Sequence, residues 1–182
     1  MRVIAGEFRS RALKSVPGEN TRPTPDRLRE SLFNILAPRL PGCTFADLYA
    51  GTGAVGIEAL SRGAAHAIFV DLSRTAVSVI RDNLKSLHAE LQATVRQAKG
   101  TAVAKSLEAD IVFLDPPYDL ERDYPLVMES LSEHPPSLVI VQHDLRFKLA
   151  ADYGPLHQTR TVRQGDNCLT FFEPVTTDAP AS

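Results

Sequence analysis

At 182 residues, 43% hydrophobic and 23% charged, the chain has the make-up of a soluble globular protein and is expected to form a single domain over residues 1–182 with a sizeable core. Two distant cysteines without metal-ligand spacing, no apolar run near the roughly 18 residues of a membrane helix, and an opening MRVIAGEFRSRALK without an apolar signal core argue against a disulfide framework, a metal site, a membrane protein and a secreted one, and point to the cytoplasm. The net charge of −2 alone speaks against nucleic acid, but residues 1–29 hold seven basic and three acidic side chains against 13 and 19 in the remainder, a basic arm on an acidic body of the kind a phosphate-binding edge shows.

In chain order, RVIAGEF and ALKSV predict a small hairpin within a basic N-terminal arm and helix covering 1–37. A Pro/Gly/Thr loop follows. Thr24 reads as an N-cap, with Pro25 at the first helical position and Asp26 in the first turn. The helix PDRLRESLFNILA buries a stripe of Leu28, Leu32, Ile35 and Leu36, which Arg22, Arg27 and Arg29 flank or leave. From residue 43 to 174 strands and helices alternate. Strands are expected at TFADLY, HAIFVD, ATVRQ, DIVFLD and SLVIVQH. Helices are expected at AVGIEALSRG, at SRTAVSVIRDNLKSLH with Ser73 as its cap, at TAVAKSLEA, and after Pro125. The segment HQTRTVRQGDNCLTFFEP predicts two antiparallel strands around Gln164–Asn167, and residues 175–182 a disordered tail. The result is an α/β fold, a largely parallel sheet covered by helices on both faces and ending in an antiparallel hairpin.

DLYAGTGAVGIEA places Gly51, Gly53 and Gly56 in a G-x-G-x-x-G between strand and helix. Glycines there let the backbone turn and approach a ligand that faces the helix N-terminus. Asp71 ends the next strand 20 residues on, where a carboxylate can take both hydroxyls of a ribose. A nucleoside-containing cofactor follows; a dinucleotide fits the same spacing. Asp47, inside the strand, can reach a cationic amino group but sits awkwardly near a pyrophosphate. S-adenosylmethionine has such an ammonium and no phosphate.

FLDPPY puts Asp115 at the end of the fourth strand of the parallel series, beside the cofactor loop. The lone pair of a nucleobase amino group is delocalised into the ring. Two acceptors on its N–H bonds, the Asp115 carboxylate and the Pro116 carbonyl, favour a pyramidal nitrogen and release that pair. Pro116 and Pro117 fix the turn, and Tyr118 can stack on the base, a contact worth about 1–3 kcal/mol.

These segments together, MRVIAGEFRSRAL, TRPTPDRLRESLFNIL, DLYAGTGAVGIEALSRGA and FLDPPY, resemble the RsmD family. That family has the Rossmann-like fold of class I S-adenosylmethionine-dependent methyltransferases and methylates the exocyclic N(2) of one guanine in bacterial 16S rRNA. The resemblance implies that Asp47, Ala50, Gly51 and Gly53 hold the methionine part, that Asp71 holds the ribose, and that Leu72, Gln97 and Ala98 complete the cofactor site. Asp115 to Tyr118 would hold the target amino group. The basic arm and its loop, with Arg9, Arg11, Lys14, Arg22, Thr24 and Arg27, would cover the cofactor and touch RNA. The substrate implied is 16S rRNA within a small ribosomal subunit, and the enzyme a monomer. Gln97 stands where the family usually has an acidic or amide residue, so adenine recognition would rest on the Ala98 backbone. Gln142-His143 stands where an acidic residue is more common.

Other residues read as scaffold: Asn83 and His143 as surface residues, Arg96 and Lys99 as a solvated face, Phe171 and Phe172 as sheet core. Competing functions are a DNA or RNA adenine-N(6) methyltransferase, which shares Asp-Pro-Pro-Tyr, a nicotinamide-dependent reductase on the same glycine loop, and a non-catalytic RNA-binding subunit.

Overall fold

The computed structural model describes residues 1–17 and 25–175. Expectations placed on Arg22, on Thr24 and on the tail beyond Val175 lie outside these residues. The elements run α1 (Asp26–Leu36), β1 (Thr44–Leu48), α2 (Ala54–Ser61), β2 (His66–Asp71), α3 (Arg74–Leu87), β3 (Ala93–Gln97), α4 (Gly100–Val103), β4 (Ile111–Leu114), α5 (Asp123–Glu133), β5 (Leu138–Asp144), β6 (Asp152–Tyr153), β7 (Leu156–Gln164) and β8 (Asn167–Pro174), with short 3-10 turns between several of them. The strands form one sheet in the order β3-β2-β1-β4-β5-β8-β7-β6. β1 to β5 pair in parallel, and β8, β7 and β6 add antiparallel.

Strand periodicity assigns the two faces. Phe45, Phe113 and Ile140 pack with α1 and α2 on one side, and Phe69, in register with Asp47, joins α2 and α3 there. Their neighbours Ala46, Val70, Val112 and Val139 pack with α5 on the other. Both faces are therefore buried, which is why these strands read as unbroken apolar runs. Phe171 and Phe172 are core residues, one on each side.

Several expectations need correcting. The N-terminal arm is not merely a charged edge: Val3, Phe8 and Leu13 belong to the core cluster over α2 and α3, and the hairpin reduces to one antiparallel bridge, Arg2 to Ala12. Pro25 precedes the first turn of α1, which begins at Asp26, so it is not the first helical residue. Arg29 does not leave the apolar stripe of α1; it is 1% exposed. Asn83 is buried, not on the surface of α3. Its Oδ1 accepts the Lys14 N–H at 2.8 Å, and its Nδ2 donates to the carbonyls of Lys14 at 3.2 Å and Thr52 at 3.0 Å. His143 is also buried, its ring between the Thr170 hydroxyl and the Asp144 carbonyl. Burial holds it below the ordinary histidine range, against the opposing pull of the Asp144 and Phe147 backbones. Helix α5 begins at Asp123, ahead of Pro125, because a proline in the first turn lacks only an N–H that would have had no helical partner.

Candidate active site

The order of strands reverses between β1 and β4, and over that point lies a cleft of about 1100 Å³. Open α/β sheets bind ligands at this position because the loops after neighbouring strands diverge there.

Each half of the cleft is built by a strand end. β1 runs into Tyr49, a non-glycine residue at φ +70°, then into the glycine loop. Gly53 precedes α2 at φ +80°, with no side chain capping the helix, a conformation in which any other residue is strained. A Cβ at Gly56 would stand 2.3 Å from the Phe69 ring, so α2 can lie this close to β2 only with glycine there. Asp47, 2% exposed, accepts the Gly56 N–H at 3.1 Å. Burial pushes its carboxyl up to about 8; the Gly56 N–H opposes this, and the carboxylates of Asp115 and Asp71 add to it. Asp71, at the end of β2, accepts the N–H of Gly51 through one oxygen and of Ser73 through the other, both at 2.8 Å. One carboxylate thus ties the glycine loop to the start of α3, where the Ser73 hydroxyl caps the helix as expected.

The facing half is the loop after β4. Gln142, 6% exposed, donates from Nε2 to Asp115 Oδ2 at 2.9 Å, and its carbonyl accepts the Tyr124 hydroxyl at 2.7 Å. Pro117 is extended and leads into a 3-10 turn at Tyr118–Leu120. Tyr118 is 60% exposed on the rim.

Of the residues singled out from sequence, Asp47, Ala50, Gly51, Asp71, Leu72 and Ala98 line the cleft, as do Asp115, Pro116, Pro117 and Tyr118. Gly53 shapes the loop from behind it. Gln97 is exposed, and its amide donates to the carbonyl of the cleft residue Leu72 at 3.5 Å. The Ala98 N–H is already bound to the Asp71 carbonyl at 3.1 Å, so it is not a spare donor for an adenine ring. The basic arm is spread out. Arg9 is exposed beside Phe8, whose N–H bonds Ser61 at the end of α2 remote from the glycine loop. Arg11 donates to the Ser86 carbonyl at 2.7 Å, Lys14 pairs with Asp82 at 2.8 Å, and Arg27 is exposed on α1.

Four residues that shape the site were not singled out for it: Tyr49, Arg29, Asn83 and Gln142. The signal for two of them was present. Asn83 falls in step with Ala76, Ile80 and Leu87, and Arg29 with Leu32 and Phe33, each on the apolar stripe of its helix. Tyr49 lines the cleft, donates its hydroxyl to Asp123 at 2.8 Å, and occupies the space a Cβ on Gly100 would need. Among the described residues, no group of three or more His, Cys, Asp or Glu side chains is arranged to hold a metal, and no helix is long and apolar enough to cross a membrane.

A glycine loop tied to a strand-end carboxylate, facing an Asp-Pro-Pro-Tyr turn across the switch point of a mostly parallel sheet, defines a Rossmann-like methyltransferase fold. A family model described as conserved hypothetical protein 95 matches residues 1–173, and the chain belongs to this family, the RsmD family. It is 38% identical to YlbH of Bacillus subtilis over 181 residues, 95% of this chain and 98% of that one. It is 40% identical to ribosomal RNA small subunit methyltransferase D of Escherichia coli over 119 residues, 65% of this chain and 60% of that one. Among solved structures, yhhF of Escherichia coli superposes with a TM-score of 0.82 at 31% identity, covering 96% of this chain and 97% of the other.

Proposed function

We propose that this chain transfers a methyl group from S-adenosylmethionine to the exocyclic N(2) of a guanine in 16S rRNA, acting in the bacterial cytoplasm as a single-domain monomer on a small ribosomal subunit. The observation that carries the reading is the placement of Asp115: a carboxylate at the end of β4, held by the Gln142 amide, in the cleft that the glycine loop and Asp71 also line. The small-subunit rRNA methyltransferase named among the relatives supports the substrate class, and the family resemblance supports guanine N(2).

The residues fit the cofactor. Asp71 is oriented by two backbone N–H groups and offers the rest of its acceptor capacity to a ribose diol. Asp47, protonated at neutral pH by burial, ionises when an ammonium comes to face it. Bound S-adenosylmethionine supplies an electrophilic methyl group. The chain's own contribution is geometric and electrostatic. Asp115 and the Pro116 carbonyl accept the two N–H bonds of the target amino group and draw it toward a pyramidal nitrogen whose lone pair can attack. Tyr118 stacks on the base and offsets part of the few kcal/mol needed to extrude it. The proton released after transfer leaves through Asp115 toward solvent at the cleft mouth. The arm residues Arg9, Arg11, Lys14, Arg22, Thr24 and Arg27 contribute RNA contacts, with Gly53, Leu72, Gln97 and Ala98 as further parts of the cofactor site.

The test is to incubate the protein with methyl-labelled S-adenosylmethionine and small subunits lacking the modification, then digest the rRNA to nucleosides. Label in N(2)-methylguanosine is expected. Label in N(6)-methyladenosine, or none in either subunits or naked 16S rRNA, contradicts the reading.

A further inference from the structure

We propose that Arg29 is the receptor for the carboxylate at the methionyl end of the cofactor; the proposal rests on reading the cleft as an S-adenosylmethionine site. The observation is a buried charge with donors to spare. Arg29 is 1% exposed, and a guanidinium carries five N–H donors in a planar fork. Among the described residues Arg29 bonds through a single nitrogen, Nη2, to the Arg2 carbonyl at 2.6 Å and to Asp26 at 3.1 Å. Nε and Nη1 are buried and have no hydrogen-bond partner among the described residues. Unpaired donors on a buried cation are rare and call for an explanation.

The described neighbours do not supply one. Glu58, the other buried charge nearby, has its oxygens committed to the N–H groups of Ile4 and Ala5 and to Arg62 Nε. Asp26 is largely exposed. Arg62 is the partner of Glu58 and lies over the Phe33 ring. Desolvation lowers the pKa of Arg29 in spite of Glu58 and Asp26, consistent with a charge that its surroundings compensate incompletely.

Arg29 lines the cleft together with Ala54 and Val55, the first residues of α2, whose N-terminus no side chain caps. An unpaired guanidinium beside an uncapped helix N-terminus is a site for a planar anion. S-adenosylmethionine bears one carboxylate, on the same carbon as its ammonium. Asp47, the acceptor assigned to that ammonium, bonds the third residue of the same helix. The two receptors therefore flank one helix terminus, as the two groups flank one carbon.

The test uses calorimetric titration with S-adenosylhomocysteine, with its decarboxylated analogue, which keeps the ammonium, and with 5′-methylthioadenosine, which lacks both groups. The wild-type protein is expected to bind S-adenosylhomocysteine about 10- to 100-fold more tightly than the decarboxylated analogue, the range for a hydrogen bond between charged groups. Arg29→Gln should abolish that preference while 5′-methylthioadenosine affinity stays within about threefold. Arg29→Lys, which keeps the charge and loses the fork, should retain part of it. Each preference is a ratio within one sample, so partial unfolding of a variant cancels. Equal wild-type affinity for acid and decarboxylated analogue overturns the proposal, as does an Arg29→Gln preference equal to that of wild type. Failure of the wild type to bind any of the three ligands overturns instead the reading of the cleft.

Discussion

Gln142 Nε2 donates to Asp115 Oδ2 across 2.9 Å, joining the ends of two adjacent parallel strands. The amide holds the carboxylate without adding a like charge, so it orients Asp115 through a neutral donor. The main chain at Gln142 is anchored by the Tyr124 hydroxyl, which donates to its carbonyl at 2.7 Å.

Gln142→Leu should therefore lower the single-turnover rate of methyl transfer by roughly 10- to 100-fold, the penalty for a misplaced reacting group, with S-adenosylmethionine affinity little changed. Gln142→Glu would set a second carboxylate against Asp115. One of the pair would then hold a proton to higher pH, and the acid limb of the pH–rate profile should move upward. Profiles that superimpose on wild type in both variants would show that Gln142 only packs.

Asn83 should act as a clamp between the N-terminal segment and the glycine loop, since it bonds both backbone groups of Lys14 and the carbonyl of Thr52. Asn83→Ala strands these groups, at about 1–3 kcal/mol for a buried unpaired donor or acceptor. For a chain of this size that is a fall in melting temperature of roughly 2–12 °C. Hydrogen exchange at the Lys14 amide should accelerate with it. An unchanged melting temperature and exchange rate would mean the segment is held by Val3, Phe8 and Leu13 alone.

Asp47 makes a prediction about pH. Its folded carboxyl lies near 8, against about 4 for an unfolded aspartate. The native state thus binds this proton more tightly, and its contribution to stability declines as pH rises between those values. Asp47→Asn removes that dependence, so its melting temperature should drop less than the wild type's between pH 5 and pH 8. A bound ammonium would pull the carboxyl down again. S-adenosylmethionine binding at pH 7 should then release about one proton in the wild type, read as a dependence of calorimetric enthalpy on buffer ionisation, and none in Asp47→Asn. Proton release that is equal in both proteins would place the ammonium elsewhere.

The sheet and its glycine loop were legible in the sequence because their signals are local. Parallel strands buried on both faces give short apolar runs, and G-x-G-x-x-G with Asp71 at a fixed distance describes one strand–loop–helix–strand unit. The two-residue β6 carries no such pattern. Asn83 and His143 were misread as surface residues because their partners are remote in sequence: Lys14 lies 69 residues from Asn83 and Thr170 lies 27 from His143; the same distance separates Gln142 from Asp115 and hid their pairing. An asparagine on an apolar stripe looks like a surface residue until the backbone it satisfies is known. Arg29 illustrates the same limit, with a surface side chain's composition in a core position. The arm was read from its charges, but its apolar residues decide where it lies.

The measurement that bears most directly on the account is the single-turnover rate of methyl transfer by Asp115→Ala to small subunits lacking the modification, with S-adenosylmethionine affinity and melting temperature determined on the same protein. An acceptor that matters most as the nitrogen becomes pyramidal stabilises the transition state more than the ground state. The account predicts a rate lowered roughly 100- to 1,000-fold, as for the loss of one oriented hydrogen-bond partner at a reacting centre, cofactor affinity within a few-fold of wild type, partial activity in Asp115→Asn, and near-normal transfer in Tyr118→Phe, whose ring still stacks. Transfer by folded Asp115→Ala at the wild-type rate would contradict it and leave the loop after β4 an ordinary turn.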